Sequence, residues 1–271
     1  MKAFILAAGE GKRLRPYTEN LPKCKVSLAG IPLIERQIET LVKSGINDIT
    51  LLTGYHSQEL NYLKMSTLHN PYYHCTNMVF TLMYAMEDIA DLDSVIISYG
   101  DIIYDTDIIE QLIKSDQDIS VVIDNDWKKY WISRFSNPLD DLETLKINEK
   151  GFIEEIGKNS KSFKEIQGQY IGLMKFQGNG IKNLVLHIQK ILGIKSKNEI
   201  VSIENVLNKN YYMTDLIQDI IDAGNEVCPI FINGNWIEID TVEDYQSIEK
   251  IYNNAQTVKE NRELMISMKK H

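Results

Sequence analysis

A chain of 271 residues can bury a sizeable core, and 44% hydrophobic with 25% charged residues is an ordinary globular composition. A net charge of −9 argues against a nucleic-acid or anionic-membrane surface. Cys24, Cys75 and Cys228 lie too far apart for a metal-binding spacing, which points to a reducing cytoplasm with Cys24 a spectator thiol.

Met1-Lys2 leads straight into the first strand, about Lys2 to Ala7, so no leader peptide is expected. Pro32 opens a helix with Ile34, Ile38, Leu41 and Val42 on one stripe, ended by Gly45. A strand over Ile49 to Thr53 runs into Gly54-Tyr55. Thr76 or Asn77 can cap the next helix, whose face carries Leu82, Ala85, Met86 and Ile89. Val95 to Ser98 reads as a buried strand ending at Tyr99-Gly100-Asp101. A helix through Ile108, Ile109, Leu112 and Ile113 and a strand over Ile119 to Ile123 follow. This alternation predicts a mostly parallel sheet with helices on its faces.

Beyond Asn125 the pattern changes. Thr144 to Ile147 and Phe152 to Ile156 read as a hairpin, and Gln169 to Phe176 as a strand. Helices are expected near Ile181 to Leu192 and Met213 to Ala223. Asn233-Gly234 predicts a hairpin turn between Val227–Ile232 and Trp236–Ile239. A last helix, about Val242 to Tyr252, leads into a charged tail. The expected organisation is one domain over 1–258, with a lid and acceptor portion at about 125–225 and a tail over 259–271. No apolar run approaches the ~18 residues of a membrane span.

The decisive run is Phe4 to Pro16, FILAAGEGKRLRP, continued by Thr18 and Pro22-Lys23. An apolar strand empties into a loop where Gly9 and Gly11 allow backbone N–H groups to approach phosphate oxygens. Arg13 and Lys23 add fixed positive charge. Neither common phosphate loop fits: Leu6 stands where a P-loop needs glycine, and Leu14 where a dinucleotide loop needs its third glycine. Asp101 and Asp240 each follow a strand, where ligands of open α/β sheets bind. Two carboxylates there could hold Mg²⁺, or simply cap the helices that follow. Asp105, Asp107 and Glu238 are further carboxylates nearby.

The run L-A-A-G-x-G-x-R-L-x-P-x-T, then P-K, then Pro32-Leu33-Ile34-Glu35, resembles the signature of nucleotidyltransferases that activate phosphorylated small molecules with an NTP. The resemblance implies a Rossmann-like, nucleotide-diphospho-sugar transferase-like fold. It implies attack by an acceptor phosphate or phosphonate oxygen on the α-phosphorus of the NTP, with release of pyrophosphate. On that likeness Lys23 holds the α-phosphate or the acceptor anion, Arg13 the β- and γ-phosphates, and Mg²⁺ sits on Asp101 and Asp240. Lys158, in Glu155-Ile156-Gly157-Lys158, matches the family's second lysine, which contacts the acceptor; a solvated hairpin lysine is the plain alternative.

The base pocket is expected at Leu6, Ala8, Gly9, Gly11, Tyr55, Thr76 and Asn77. Gly54-Tyr55, Thr76-Asn77-Met78 and Trp236-x-Glu238-Ile239-Asp240 look most like the cytidylyltransferase branch, whose members activate phosphocholine, 2-aminoethylphosphonate or phosphorylated amino acids. Sugar-phosphate members carry an acidic residue where this chain has Gln169, which weakens a hexose reading. Trp127, Trp131 and Arg134, with Gln169, are the expected acceptor contacts. Trp127 and Trp131 are one helical turn apart, and their rings could face an ammonium group or pack the lid. The expected partners are CTP and a small phosphonate or phosphate acceptor such as 2-aminoethylphosphonate, with a homodimer open. Phosphoglutamine, phosphocholine and sugar-1-phosphates are the alternative acceptors; a nucleotide sensor without turnover is the non-enzymatic alternative.

Overall fold

Uninterrupted aliphatic runs make strands covered on both faces, and the central sheet of the computed structural model is built from them. The structure describes residues 1–134, 139, 141–193 and 211–253. The tail over 259–271 and parts of the expected lid lie outside the described residues. The first half of the chain forms β1 (Lys2–Ala7), α1 (Leu33–Lys43), β2 (Ile49–Thr53), β3 (Ser66–His69), α2 (Met78–Met83), α3 (Met86–Ala90), β4 (Ser94–Tyr99), β5 (Ile102–Tyr104), α4 (Thr106–Lys114) and β6 (Ile119–Asp124). Then come α5 (Trp127–Arg134), β7 (Glu143–Ile147), β8 (Ile153–Asn159), β9 (Gln169–Gln177), α6 (Asn179–Leu192), α7 (Met213–Asp222), β10 (Cys228–Ile232), β11 (Trp236–Glu238) and a helix over 242–253, α8.

Seven strands form the main sheet in the order β10-β6-β9-β4-β1-β2-β3. All neighbouring pairs are parallel except those of β9, which runs antiparallel to both β4 and β6. The chain winds outward from β1 to β2 and β3, then crosses back to β4. The crevice beyond the ends of β1 and β4 is therefore a switch point, the place where such sheets bind ligands.

Side-chain alternation splits the core into two layers. Phe4 and Leu6 of β1 pack with α2, α3, α6 and α7, while Ala3, Ile5 and Ala7 pack with α1 and α4. Each fully buried Phe or Leu contributes about 1.5–3 kcal/mol, so the two layers hold the crevice edges rigidly. A smaller cluster of Leu14, Val26, Leu28, Leu33, Ile103 and Ile239 ties the glycine loop to α8 through Tyr245 and Ile248.

Two expectations are corrected. The Asn233-Gly234 turn does not close a hairpin: β10 pairs in parallel with β6, and β11 pairs antiparallel with β5. Gly234 and Asn235 are both left-handed, and the Asp124 carboxylate accepts from Gly234 N and Trp236 Nε1, steering the chain out of the main sheet. The helix capped by Asn77 is also two helices. Tyr84 and Ala85 donate to Thr81 and Leu82, tightening the turn and breaking the α-helical ladder after Met83. The hairpin of β7 and β8 is present, with shifts in its register.

Candidate active site

The glycine loop is stitched to the lysine that follows it. Lys23 N donates to Gly9 O (3.3 Å), and Thr18 Oγ1 donates to Gly11 O (2.7 Å). Gly11 is left-handed, and a Cβ there would lie 3.0 Å from Lys23 Cγ, so only glycine lets the lysine stem pass under the loop. Leu14 is fully buried beneath it. These contacts explain why Gly11, Arg13, Thr18 and Lys23 keep a fixed spacing.

Lys23 ends between two carboxylates. Its Nζ stands 2.5 Å from Asp101 Oδ2 and 2.6 Å from Asp240 Oδ1, and the Arg13 guanidinium meets the other oxygen of Asp240. Burial disfavours the charged lysine, but Asp101, Asp240 and Glu238 outweigh it and hold the ammonium above its ordinary range. Asp101 arrives from β4 through Gly100, whose missing Cβ would lie 2.6 Å from Leu6 O, and Asp240 arrives from β11. The backbone joins the two, since Ile239 N donates to Asp101 O (3.1 Å).

This pair fits a hard divalent cation. The carboxylates converge on the Lys23 ammonium, and Asp101 Oδ1 is buried without a hydrogen-bond partner. Among the described residues no group of three or more His, Cys, Asp or Glu is placed to hold a metal. Phosphate oxygens and water would complete the shell, as Mg²⁺ prefers. Cys24, beside Lys23, is buried, and that burial followed by the Asp101 charge pushes its thiol up to about 12, so it is no nucleophile.

Two cavities meet here. The first, about 600 Å³, is lined by Leu6, Ala8, Gly9, Gly11, Arg13, Lys23, Thr76, Asn77, Asp101 and Asp240, together with Tyr73, His74 and Tyr99. The second, about 220 Å³, is lined by Trp131, Gln169, Asp141, Glu143, Tyr170 and Trp236. Arg13, Met78, Tyr99, Tyr212, Glu238 and Asp240 border both. Burial, then the charges of Asp215, Asp141 and Glu238, push the Glu143 carboxyl up to about 7. Burial and Asp101 push Glu238 to about 7 as well, against the pull of Arg134 and Lys23. The second cavity thus combines half-buried carboxyls with aromatic faces.

The remaining expected site residues divide between the cavity walls and places away from them. Tyr55 lines neither cavity: its hydroxyl donates to Glu19 O (2.7 Å), and its ring meets Tyr73 edge-on. Asn77 caps α2 through Met78 N, and the Thr76 hydroxyl donates to Tyr72 O (2.7 Å). Trp127 is buried against Phe163 in the core and lines neither cavity, whereas Trp131 reaches the second cavity and donates to Asp141 (3.1 Å). Gln169 is buried in the wall, donating to Glu143 O (2.7 Å). Arg134 is spent on Glu238 and Asp244. Lys158 is exposed, paired with Glu155 at 2.6 Å, and lines neither cavity. Asp105 and Asp107 stand at the start of α4.

Sequence reasoning passed over Glu143, Asp141, Tyr99, Tyr212, Tyr73 and His74. One signal was available for the end of the chain: Trp236 and Glu238 alternate along one strand and so share one face, two residues before Asp240. Glu143 carried none, because it opens a hairpin strand whose position over the crevice depends on tertiary packing.

A family model described as the MobA-like NTP transferase domain matches residues 3–157. Over 260 residues the chain is 37% identical to the CTP:phosphoglutamine cytidylyltransferase of Campylobacter jejuni, covering 92% of this chain and 100% of that protein. Over 62 residues it is 40% identical to the 2-aminoethylphosphonate cytidylyltransferase of Lancefieldella rimae, 23% of this chain and 25% of that protein. The solved structure of CTP:phosphocholine cytidylyltransferase from Streptococcus pneumoniae superposes with a TM-score of 0.68 at 27% identity, over 93% of this chain and 98% of that one.

Proposed function

The chain belongs to the MobA-like NTP transferase family and is a cytidylyltransferase of phosphate-bearing substrates; from that premise we propose that it moves CMP from CTP to a small acceptor bearing an amino or ammonium group, with release of pyrophosphate. Phosphoglutamine is the first candidate, because likeness to the phosphoglutamine enzyme covers 92% of this chain and all of that protein. The observation that carries the reading is the pairing of cavities. One opens on the glycine loop, the other is walled by carboxyls and aromatic rings, and Arg13 and Asp240 stand on their shared border. 2-Aminoethylphosphonate and phosphocholine suit the same walls, since each presents a cation to Glu143, Asp141 and the rings.

In the reaction, an anionic oxygen of the acceptor phosphoryl group attacks the α-phosphorus of CTP. The new P–O bond forms as the bond to the β-phosphate breaks, and pyrophosphate leaves. No proton need be removed from the nucleophile, so the absence of a general base from the scheme is consistent with its chemistry. The barrier is the approach of two anions, and preorganised cations lower it. Lys23 serves the α-phosphate from beneath the loop, while Arg13, more exposed, serves the outer phosphates. Asp101 and Asp240 would hold Mg²⁺, which supplies further positive charge to the phosphates. Glu143 and Asp141 orient the acceptor by its amine so that its phosphoryl end points to the shared border.

Pyrophosphate release measured with CTP, UTP, GTP and ATP crossed against phosphoglutamine, phosphocholine, 2-aminoethylphosphonate and glucose-1-phosphate tests this. The reading requires CTP to be the best donor and an amine-bearing compound the best acceptor. Preference for glucose-1-phosphate would move the chain to sugar activation.

A further inference from the structure

Asp124 is a carboxylate with 1% exposure at the end of β6, in neither cavity wall, and its oxygens are occupied by hydrogen bonds. Its Oδ1 accepts from Asp126 N (2.9 Å) and Gly234 N (3.0 Å), and its Oδ2 accepts from the Trp236 indole Nε1 (3.0 Å). The backbone repeats the link: Asn125 N donates to Ile232 O (2.9 Å). A buried carboxylate is costly unless hydrogen-bonded in this way, so its donors are the reason it can stand here. The bonds from Gly234 and Trp236 fix one thing, the point where the chain leaves the main sheet and starts β11, while the bond from Asp126 N steadies the carboxylate itself.

What β11 carries makes that point matter. Trp236 and Glu238 share one face of the strand, Asp240 follows two residues past its end, and all three line the second cavity. Farther along, the Tyr130 hydroxyl accepts from Glu238 N (2.9 Å) and donates to Glu238 O (3.2 Å). The strand has only three residues, paired on one edge to β5. So short an element takes its register from such side-chain clasps.

We infer that Asp124 is a positioning residue for the transfer reaction, setting Trp236 against the acceptor and Asp240 against Lys23 through the register of β11. The inference rests on the reading of Glu238 and Asp240 as site residues. Asp124 touches neither substrate cavity and acts through the strand. An asparagine in its place offers one acceptor oxygen: turned toward its two backbone donors, Asp126 N and Gly234 N, it sets the NH₂ group against the Trp236 indole N–H, which then has no acceptor.

The experiment compares Asp124→Asn, Trp236→Phe and the double variant in melting temperature, kcat, and KM for CTP and for phosphoglutamine. Misplacing reacting groups is expected to cost about tenfold or more in kcat in folded Asp124→Asn, with a raised acceptor KM and a CTP KM within about twofold of wild type. Trp236→Phe keeps a ring and removes the N–H, so it should give a smaller loss of the same kind. In the Asp124→Asn background it should add nothing, because the bond it deletes is already gone. Losses that multiply, or unchanged kinetics in folded Asp124→Asn, overturn the proposal. Should Asp124→Asn fail to fold, unchanged kinetics in Trp236→Phe overturns it alone. Hydrogen exchange at the Trp236 indole separates this proposal from the choice of acceptor. Protection in wild type that is lost in Asp124→Asn supports the clasp whatever the substrate proves to be, and equal protection in both contradicts it.

Discussion

Lys23 carries more of the site's electrostatics than any neighbouring side chain, because it neutralises Asp101 and Asp240 from 2.5 and 2.6 Å. Lys23→Ala is expected to lower kcat on the order of a hundredfold, the cost of removing one preorganised charge from a desolvated transition state. It also leaves two carboxylates without their shared cation, so the melting temperature should fall in chelator and recover on adding Mg²⁺ by more than wild type gains. A folded variant with near-wild-type kcat would remove Lys23 from the scheme. Glu143 gives a pH signature. Burial raises its carboxyl from 4.5 to about 7, so the folded chain holds a proton there that the unfolded chain has released. The stability this contributes is full below about pH 4.5 and is lost as pH rises through about 7. Ammonium binding runs the other way, since it needs the carboxylate. Acceptor kcat/KM should therefore climb with pH across that window, and in Glu143→Gln the climb should flatten and the acceptor KM rise. A profile identical to wild type would mean Glu143 does not face the amine.

At the scale of elements, the site depends on β1 and β4 ending side by side. Gly100 permits it, because a Cβ there would sit 2.6 Å from Leu6 O, a backbone atom that cannot move aside. Gly100→Ala should thus lower the melting temperature and cut activity together, whereas Gly151→Asn, at a left-handed hairpin turn outside both cavities, should lower the melting temperature a little and leave turnover unchanged; calorimetry and turnover on both variants check this. Most of the elements were legible from periodicity and punctuation: β1, β2, β4, β6 and β9 are apolar runs, and Pro32 and Gly45 bracket α1. The misread parts share a cause. Asn233-Gly234 has hairpin chemistry, but a buried carboxylate over a hundred residues earlier in the chain captures Gly234 and Trp236. β3 and β5 are short and escape periodicity altogether. The site divided the same way: the glycine loop was legible because its contacts are local, while the second cavity's wall of Asp141, Glu143 and Tyr212 is assembled by packing. Trp127 looked like a ligand contact on helical spacing alone, and the fold spends it on the core.

Taken whole, the molecule is an acidic protein, net charge −9, that sets Lys12, Arg13 and Lys23 among the carboxylates of one crevice. No helix among the described residues is long and apolar enough to cross a membrane. The sheet's switch point places the first cavity on β1 and β4, and β7, β9 and β11 wall the second beside it. The central claim is that the two cavities bring an amine-bearing phosphoryl acceptor onto the α-phosphorus of CTP. Phosphorus NMR of CTP and phosphoglutamine incubated with the enzyme tests it most directly. Both substrates should disappear together, with equimolar pyrophosphate and a new diphosphate linkage joining CMP to the acceptor. CTP left unchanged with phosphoglutamine, phosphocholine and 2-aminoethylphosphonate, while glucose-1-phosphate is converted, would contradict it.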